Sequence, residues 1–92
     1  MNKLERARIE INRIDKEIAK LFQERMKAVE DVIEYKIENN MEILDSGREK
    51  EVIEKNIALL ENKKYEKYYI DFLTNVMRIS KEYQKDILNK NK

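Results

Sequence analysis

The sequence predicts an all-α fold of three helices, one of them very long. Three observations support this. The 92 residues include one Gly and no Pro, and charged residues (42%) and hydrophobic residues (41%) are present in nearly equal shares. Such a composition excludes disordered linkers and turn-rich β-architectures and favours long amphipathic helices. The third observation is the helical spacing of the apolar residues. A chain of this length is expected to form a single domain over residues 1–92.

The first predicted helix runs from Leu4 to about Glu38 and follows a heptad pattern. One heptad position holds Leu4, Ile11, Ile18 and Val32, and the other holds Ala7, Ile14, Leu21, Ala28 and Tyr35. A helix of some 35 residues spans roughly 50 Å, which exceeds the width of a compact domain of this size. We therefore expect it to need another long element to pack against.

Two shorter helices follow. Asp45 or Ser46 is expected to cap the second helix, and Ser46 with Glu49 fits a capping box. This helix carries Val52, Ile53, Ile57, Leu59 and Leu60. Residues 61–64 form a second joint, and a third helix is predicted from about Lys67 to Leu88. Its inward stripe comprises Tyr69, Leu73, Val76, Met77, Ile87 and Leu88.

Residue types that are missing exclude several kinds of chemistry. Without Cys or His the chain has no disulfide, no Cys/His zinc site, no Cys nucleophile and no Ser-His-Asp triad. A single Gly excludes glycine-rich phosphate loops. The net charge of +1 predicts no general attraction to nucleic acid or membranes. No signal peptide or membrane-spanning run is evident, so we expect a cytoplasmic protein.

Polar residues interrupt the apolar stripes at four positions. Arg25 occupies the heptad position of Ile18 and Val32, and Lys36 lies about three turns later on nearly the same side. On the third helix, Ser80 and Gln84 fall within the inward stripe. Each has an ordinary explanation, such as a Glu partner for Arg25 or backbone hydrogen bonds for Ser80 and Gln84. Taken together, they favour a site for a small anion.

Arg8 lies near the start of the first helix, roughly 25 Å from Arg25 along the same axis. It therefore cannot share a site with Arg25 of its own straight helix. If two copies of this helix pack antiparallel, Arg8 of one chain approaches the middle of the other. The alternative is an ordinary solvated arginine.

This ordered set of residues resembles the all-helical chorismate mutases. The resemblance extends from about Leu4 to Leu88 and rests on Arg8, Ile14-Asp15, Arg25, Tyr35-Lys36, Asp45, Arg48-Glu49, Ser80 and Gln84. It implies an intertwined homodimer whose two sites are each completed by Arg8 of the other chain. It also implies an isomerase that converts chorismate to prephenate in the shikimate pathway of aromatic amino acid biosynthesis, with no metal or organic cofactor.

The resemblance also implies a role for each site residue. Arg8 and Arg25 would hold the substrate carboxylates, while Lys36 and Gln84 would donate hydrogen bonds to the ether oxygen. Arg48 and Ser80 would support the carboxylate end, and Asp45 and Glu49 would meet the ring hydroxyl. A pericyclic rearrangement needs confinement and hydrogen-bond donors rather than a nucleophile, which agrees with the absence of His and Cys.

Two other functions stay open at this point. An isochorismate pyruvate lyase would share this fold and similar cations but release pyruvate. A non-catalytic helical interaction or regulatory module would bind without turnover. The group formed by Asp45, Arg48 and Glu49 favours the mutase over the lyase.

Overall fold

The computed structural model describes residues 1–90, and all regular structure in that range is helical. Helix α1 spans Lys3–Glu38, α2 spans Ser46–Ile57, and α3 spans Glu66–Lys90. A short 3-10 turn at Lys63–Tyr65 forms the second joint. The three predicted helices are confirmed, and the very long first helix measures 36 residues. Within residues 1–90, no helix combines the length and apolar character needed to cross a membrane.

The turn after α1 is closed by backbone hydrogen bonds. Asn40 adopts a left-handed conformation with φ of 52°, which asparagine tolerates better than most residues. The Met41 amide donates to the Lys36 carbonyl at 2.8 Å, and the Asn40 amide donates to the Ile37 carbonyl at 3.3 Å. This is the Schellman arrangement that satisfies the last carbonyls of a helix. It turns the chain sharply toward α2.

Helix α2 begins at a cap provided by Asp45. The Asp45 carboxylate accepts a hydrogen bond from the Arg48 amide at 3.0 Å, while Ser46 is already the first helical residue. The predicted capping box between Ser46 and Glu49 is therefore wrong. The capping box does not form because Asp45 takes the capping position and the Glu49 side chain pairs with Lys81 of α3.

The core lies where the C-terminal half of α1 packs against α3. It comprises Val29 and Ile33 of α1 with Leu73 and Met77 of α3, and Ile33 is only 1% exposed. Helix α2 also packs on α3, but no Cα atom of α2 lies within 8 Å of one in α1. Helix α3 therefore holds the other two helices, and a gap remains between α1 and α2.

The N-terminal half of α1 has no cover within the chain. Residues 1–25 are all exposed, including the heptad residues Leu4, Ile11, Ile14, Ile18 and Leu21. The buried residues Val29 and Ile33 lie outside the predicted heptad positions, whereas Val32 and Tyr35 on the heptad are exposed. A single copy of the chain thus buries a different face of α1 from the one that the heptad defines.

Replacing Ile33 by Ala should destabilise the fold, because the side chain is fully enclosed between α1 and α3. We expect the free energy of unfolding to fall by about 3 kcal/mol. Ile9→Ala is the matched control, because Ile9 is 55% exposed and its truncation should cost under about 0.5 kcal/mol. Urea unfolding followed by far-ultraviolet circular dichroism measures both. Similar losses in the two variants would contradict this description of the core.

Candidate active site

A cavity of about 310 Å³ occupies the gap between α1, the joint after it, α2 and α3. Its volume lies at the lower end of the range typical of small-molecule sites. Apolar side chains form part of the wall, namely Val29, Val32, Ile43, Val52 and Met77. The polar lining consists of Arg25, Lys36, Asp45, Arg48, Glu49, Ser80, Lys81 and Gln84. The cavity thus brings together seven of the eight site residues predicted from the sequence.

Arg25 reaches the cavity from α1 and is held there by α3. Its Nη1 donates to the Ser80 hydroxyl at 2.6 Å, and that hydroxyl donates to the Val76 carbonyl at 2.9 Å. Partial desolvation lowers the pKa of Arg25, and the nearby charge of Arg48 lowers it further. An arginine remains charged in a protein. An anion in the cavity would therefore stabilise the charged Arg25 and offset both its desolvation and its repulsion from Arg48.

Lys36 comes from the last turn of the same helix. Its Nζ donates to the Ile43 carbonyl at 2.8 Å, which ties the joint after α1 to the helix. Among the ion pairs of residues 1–90, none involves Lys36 or Arg25. The ordinary explanation for Arg25, a Glu partner, is therefore not what the structure contains. Both cations face the cavity without a carboxylate of their own.

The cap and first turn of α2 contribute three charged residues to the cavity, Asp45, Arg48 and Glu49. The Asp45 carboxylate is engaged by the Arg48 amide, and the Arg48 guanidinium donates to Glu51 at 3.1 Å. Glu49 Oε2 lies 2.9 Å from Lys81 Nζ. Four cationic side chains and two carboxylates therefore line the cavity. This excess of positive charge suits a doubly charged anion.

Lys81 is the polar residue that the sequence analysis missed. It lies four residues after Met77 and three before Gln84, so it shares their helix face and lines the cavity with them. This spacing was visible in the sequence. Its pairing with Glu49 was not, because it depends on how α2 docks against α3.

Gln84 is buried in the wall of the cavity. It is only 6% exposed, and its Oε1 has no hydrogen-bond partner within residues 1–90. Ser80 is also buried, at 7% exposure, but both of its hydrogen bonds are made. A buried acceptor without a partner costs free energy, so folding stability alone does not explain a glutamine at this position of the cavity wall.

Arg8 is not part of this cavity. It lies on the exposed N-terminal half of α1, about 25 Å from Arg25 along the helix axis. Within one chain, the structure does not bring Arg8 to the other site residues.

Comparison of the sequence with known protein families gives one match. The sequence profile described as chorismate mutase type II matches residues 7–85. The chain belongs to the chorismate mutase type II family. The match includes most of α1 and α3, all of α2 and every predicted site residue, including Arg8. The prediction of an all-helical chorismate mutase is thereby confirmed at the level of the family.

Two curated relatives are bifunctional chorismate mutase/prephenate dehydratases of Buchnera aphidicola. The one from subspecies Acyrthosiphon pisum is 41% identical over 86 residues, and the one from subspecies Schizaphis graminum is 40% identical over 84 residues. Each alignment covers 90% of this chain but 22% of the relative. The chain thus spans about a fifth of the length of these relatives. No solved structure matches the chain with statistical significance.

The unpartnered Gln84 Oε1 predicts that this position is not optimised for stability. Gln84→Met keeps a similar length and removes the buried polar group, so we expect the free energy of unfolding to rise by about 1 kcal/mol. Ser80→Ala is the control with the opposite sign, because it removes a satisfied hydroxyl and leaves Arg25 without its acceptor. Urea unfolding measures both. A destabilised Gln84→Met protein would show that the amide contributes to folding rather than to binding.

Proposed function

We propose that this chain catalyses the rearrangement of chorismate to prephenate. The observation that carries the proposal is the pair of cations, Arg25 and Lys36, that face one cavity without carboxylate partners. Family membership and the chorismate mutase half of the relatives' names support the same reaction. Chorismate carries two carboxylates, which agrees with the excess of positive charge around the cavity.

Substrate binding begins with the two carboxylates. Arg25 holds one of them through its planar guanidinium. The Ser80 hydroxyl accepts from the same guanidinium and fixes its orientation. Arg48 turns from its exposed contact with Glu51 to support the carboxylate end. Asp45 and Glu49 at the start of α2 accept from the ring hydroxyl. The apolar wall then confines the flexible molecule in its reactive conformer, which removes much of the entropic part of the barrier.

Catalysis needs donors where charge develops. As the C–O bond breaks and the C–C bond forms, negative charge gathers on the ether oxygen, and Lys36 Nζ and the Gln84 amide donate to it. Lys36 already has a hydrogen-bonding Nζ at the cavity, and the neutral Gln84 amide donates over the ordinary pH range. No bond to the protein forms, so the reaction uses no nucleophile or general base.

Removing either unpaired cation should abolish most of the activity. We expect Lys36→Ala and Arg25→Ala each to lower turnover of chorismate by about a hundredfold or more, as loss of one transition-state donor does elsewhere. Lys27→Ala and Arg13→Ala are matched controls, because both residues are exposed on α1 and neither lines the cavity. The ultraviolet absorbance of chorismate measures the rate.

Product analysis separates this proposal from its closest rival. The rearrangement yields prephenate from chorismate, whereas an isochorismate pyruvate lyase yields pyruvate from isochorismate. Pyruvate from isochorismate without prephenate from chorismate would contradict the proposed function. Near-normal rates in both alanine variants would place the active centre elsewhere.

We propose further that the chain acts as an intertwined homodimer. The exposed heptad stripe on the N-terminal half of α1, from Leu4 to Leu21, supports this, since a second copy of the same helix offers a surface of equal length and matching apolar pattern. Antiparallel pairing carries Arg8 of one chain toward Arg25 of the other. Arg8 then holds the second substrate carboxylate. The cytoplasmic location expected from the sequence stays a prediction.

A mixing experiment tests whether the site is shared between chains. Arg8→Ala and Arg25→Ala homodimers should each be nearly inactive, because every site lacks one arginine. After the two are unfolded and refolded together, half of the random dimers carry one intact site, so activity should return to about a quarter of that of the unmodified protein. Refolding each variant alone is the control. No recovery, or a monomer in analytical ultracentrifugation, would contradict the shared site.

A further inference from the structure

We infer that Lys81 is a positioning residue, which fixes and neutralises the Glu49 carboxylate at the rim of the cavity so that the site accepts a dianion. This inference rests on the proposed function, because the dianion is the substrate named there. It concerns a residue outside the set that the sequence predicted.

The Lys81–Glu49 ion pair differs from the other ion pairs of residues 1–90. Those five join residues three or four apart within one helix, whereas Lys81 Nζ and Glu49 Oε2, 2.9 Å apart, join α3 to α2. Its side chains are 32% and 28% exposed, while every side chain in the other five pairs is at least 48% exposed. Solvent therefore screens this pair less than the others.

The pair acts at the end of α2 that carries the site. Helix α2 packs on α3, and no Cα atom of α2 lies within 8 Å of one in α1. Lys81 attaches Glu49, which lies in the first turn of α2, to α3. Arg48 precedes Glu49 directly, and Asp45 caps the same turn. Fixing Glu49 therefore fixes the position from which all three side chains reach the cavity.

The charge of Lys81 has a separate effect. A carboxylate at the rim opposes entry of a dianion, and the ammonium cancels that repulsion at a distance of 2.9 Å. The contact uses Oε2, and a carboxylate has a second oxygen with which to accept a hydrogen bond from a ligand hydroxyl. Lys81 differs in this respect from Arg25 and Lys36, which face the cavity without a carboxylate. Its role is to act through Glu49.

The kinetics of three variants test the inference. Lys81→Met keeps the aliphatic stem and removes the charge, and we expect KM for chorismate to rise about tenfold with kcat changed less than about threefold, because the loss affects binding of the charged substrate. Lys81→Arg should restore KM to within about threefold of the unmodified value. Lys85→Met, one turn later on α3 and exposed, is the matched control and should leave KM unchanged.

A double-mutant cycle shows whether Lys81 acts through Glu49. In a Glu49→Gln background, adding Lys81→Met should change KM by less than about threefold, because the carboxylate that it would expose is gone. An equal tenfold rise in both backgrounds would overturn the inference, since Lys81 would then act independently of Glu49. An unchanged KM in the single variant would also overturn it.

Hydrogen exchange provides a readout that does not depend on turnover. The amides of Arg48 and Glu49 are hydrogen-bonded to Asp45, at 3.0 Å each, and Lys81→Met should speed their exchange about tenfold relative to Lys85→Met. Unchanged exchange would overturn the positioning role. If the unmodified protein does not convert chorismate while exchange responds as expected, the proposed function fails and the positioning of Glu49 by Lys81 stands.

Discussion

Uncompensated positive charge is the constraint on which this structure depends. Arg25 and Lys36 face a cavity in which neither has a carboxylate partner, and desolvation together with Arg48 already lowers the pKa of Arg25. Helix α3 holds Arg25 and Lys36 of α1 beside the cavity. It packs against the C-terminal half of α1 through Leu73 and Met77 and supplies the Ser80 hydroxyl that orients the Arg25 guanidinium. The same helix carries α2, so the gap between α1 and α2 stays open.

The side chains of this cavity are suited to binding an anion rather than to attacking it or transferring its protons. A chain without His or Cys has few means of proton transfer or nucleophilic attack, but its cations and amides are well suited to hold an anion and to stabilise charge that shifts within it. The unpartnered oxygen of Gln84 and the partly desolvated Arg25 both lower the stability of the folded chain. Such local costs are expected where a site is prepared for its ligand in advance.

The two halves of α1 contribute to different parts of the protein, one to the cavity and the other to the proposed dimer. Its C-terminal half uses Val29 and Ile33 to pack within the chain, while the heptad residues before Arg25 are exposed. One face of α1 therefore packs within the chain, and the other is exposed. Burial within the chain places Arg25 and Lys36 beside α3, and the exposed stripe is the surface on which the proposed second copy would bring in Arg8. The proposed dimer and the proposed site are therefore consequences of the same helix.

Local spacing accounts for what could be predicted from the sequence alone. The three helices, the apolar stripe of α3 around Leu73 and Met77, and the polar interruptions at Arg25, Ser80 and Gln84 all follow from periodicity, because residues three or four apart share a helix face. The resemblance to chorismate mutases rested on the same residues. The structure brings seven of the eight predicted site residues to one cavity.

Tertiary structure decided the features that depend on how the helices dock. The heptad did not reveal that Val29 and Ile33 form the core within the chain, because periodicity defines faces but does not say which one a neighbour covers. The pairing of Glu49 with Lys81, 32 positions later in the chain, depends on contacts between α2 and α3, and with Glu49 engaged there Asp45 rather than Ser46 is the cap. No pattern within a single helix encodes such a contact, since it exists only after both helices have packed.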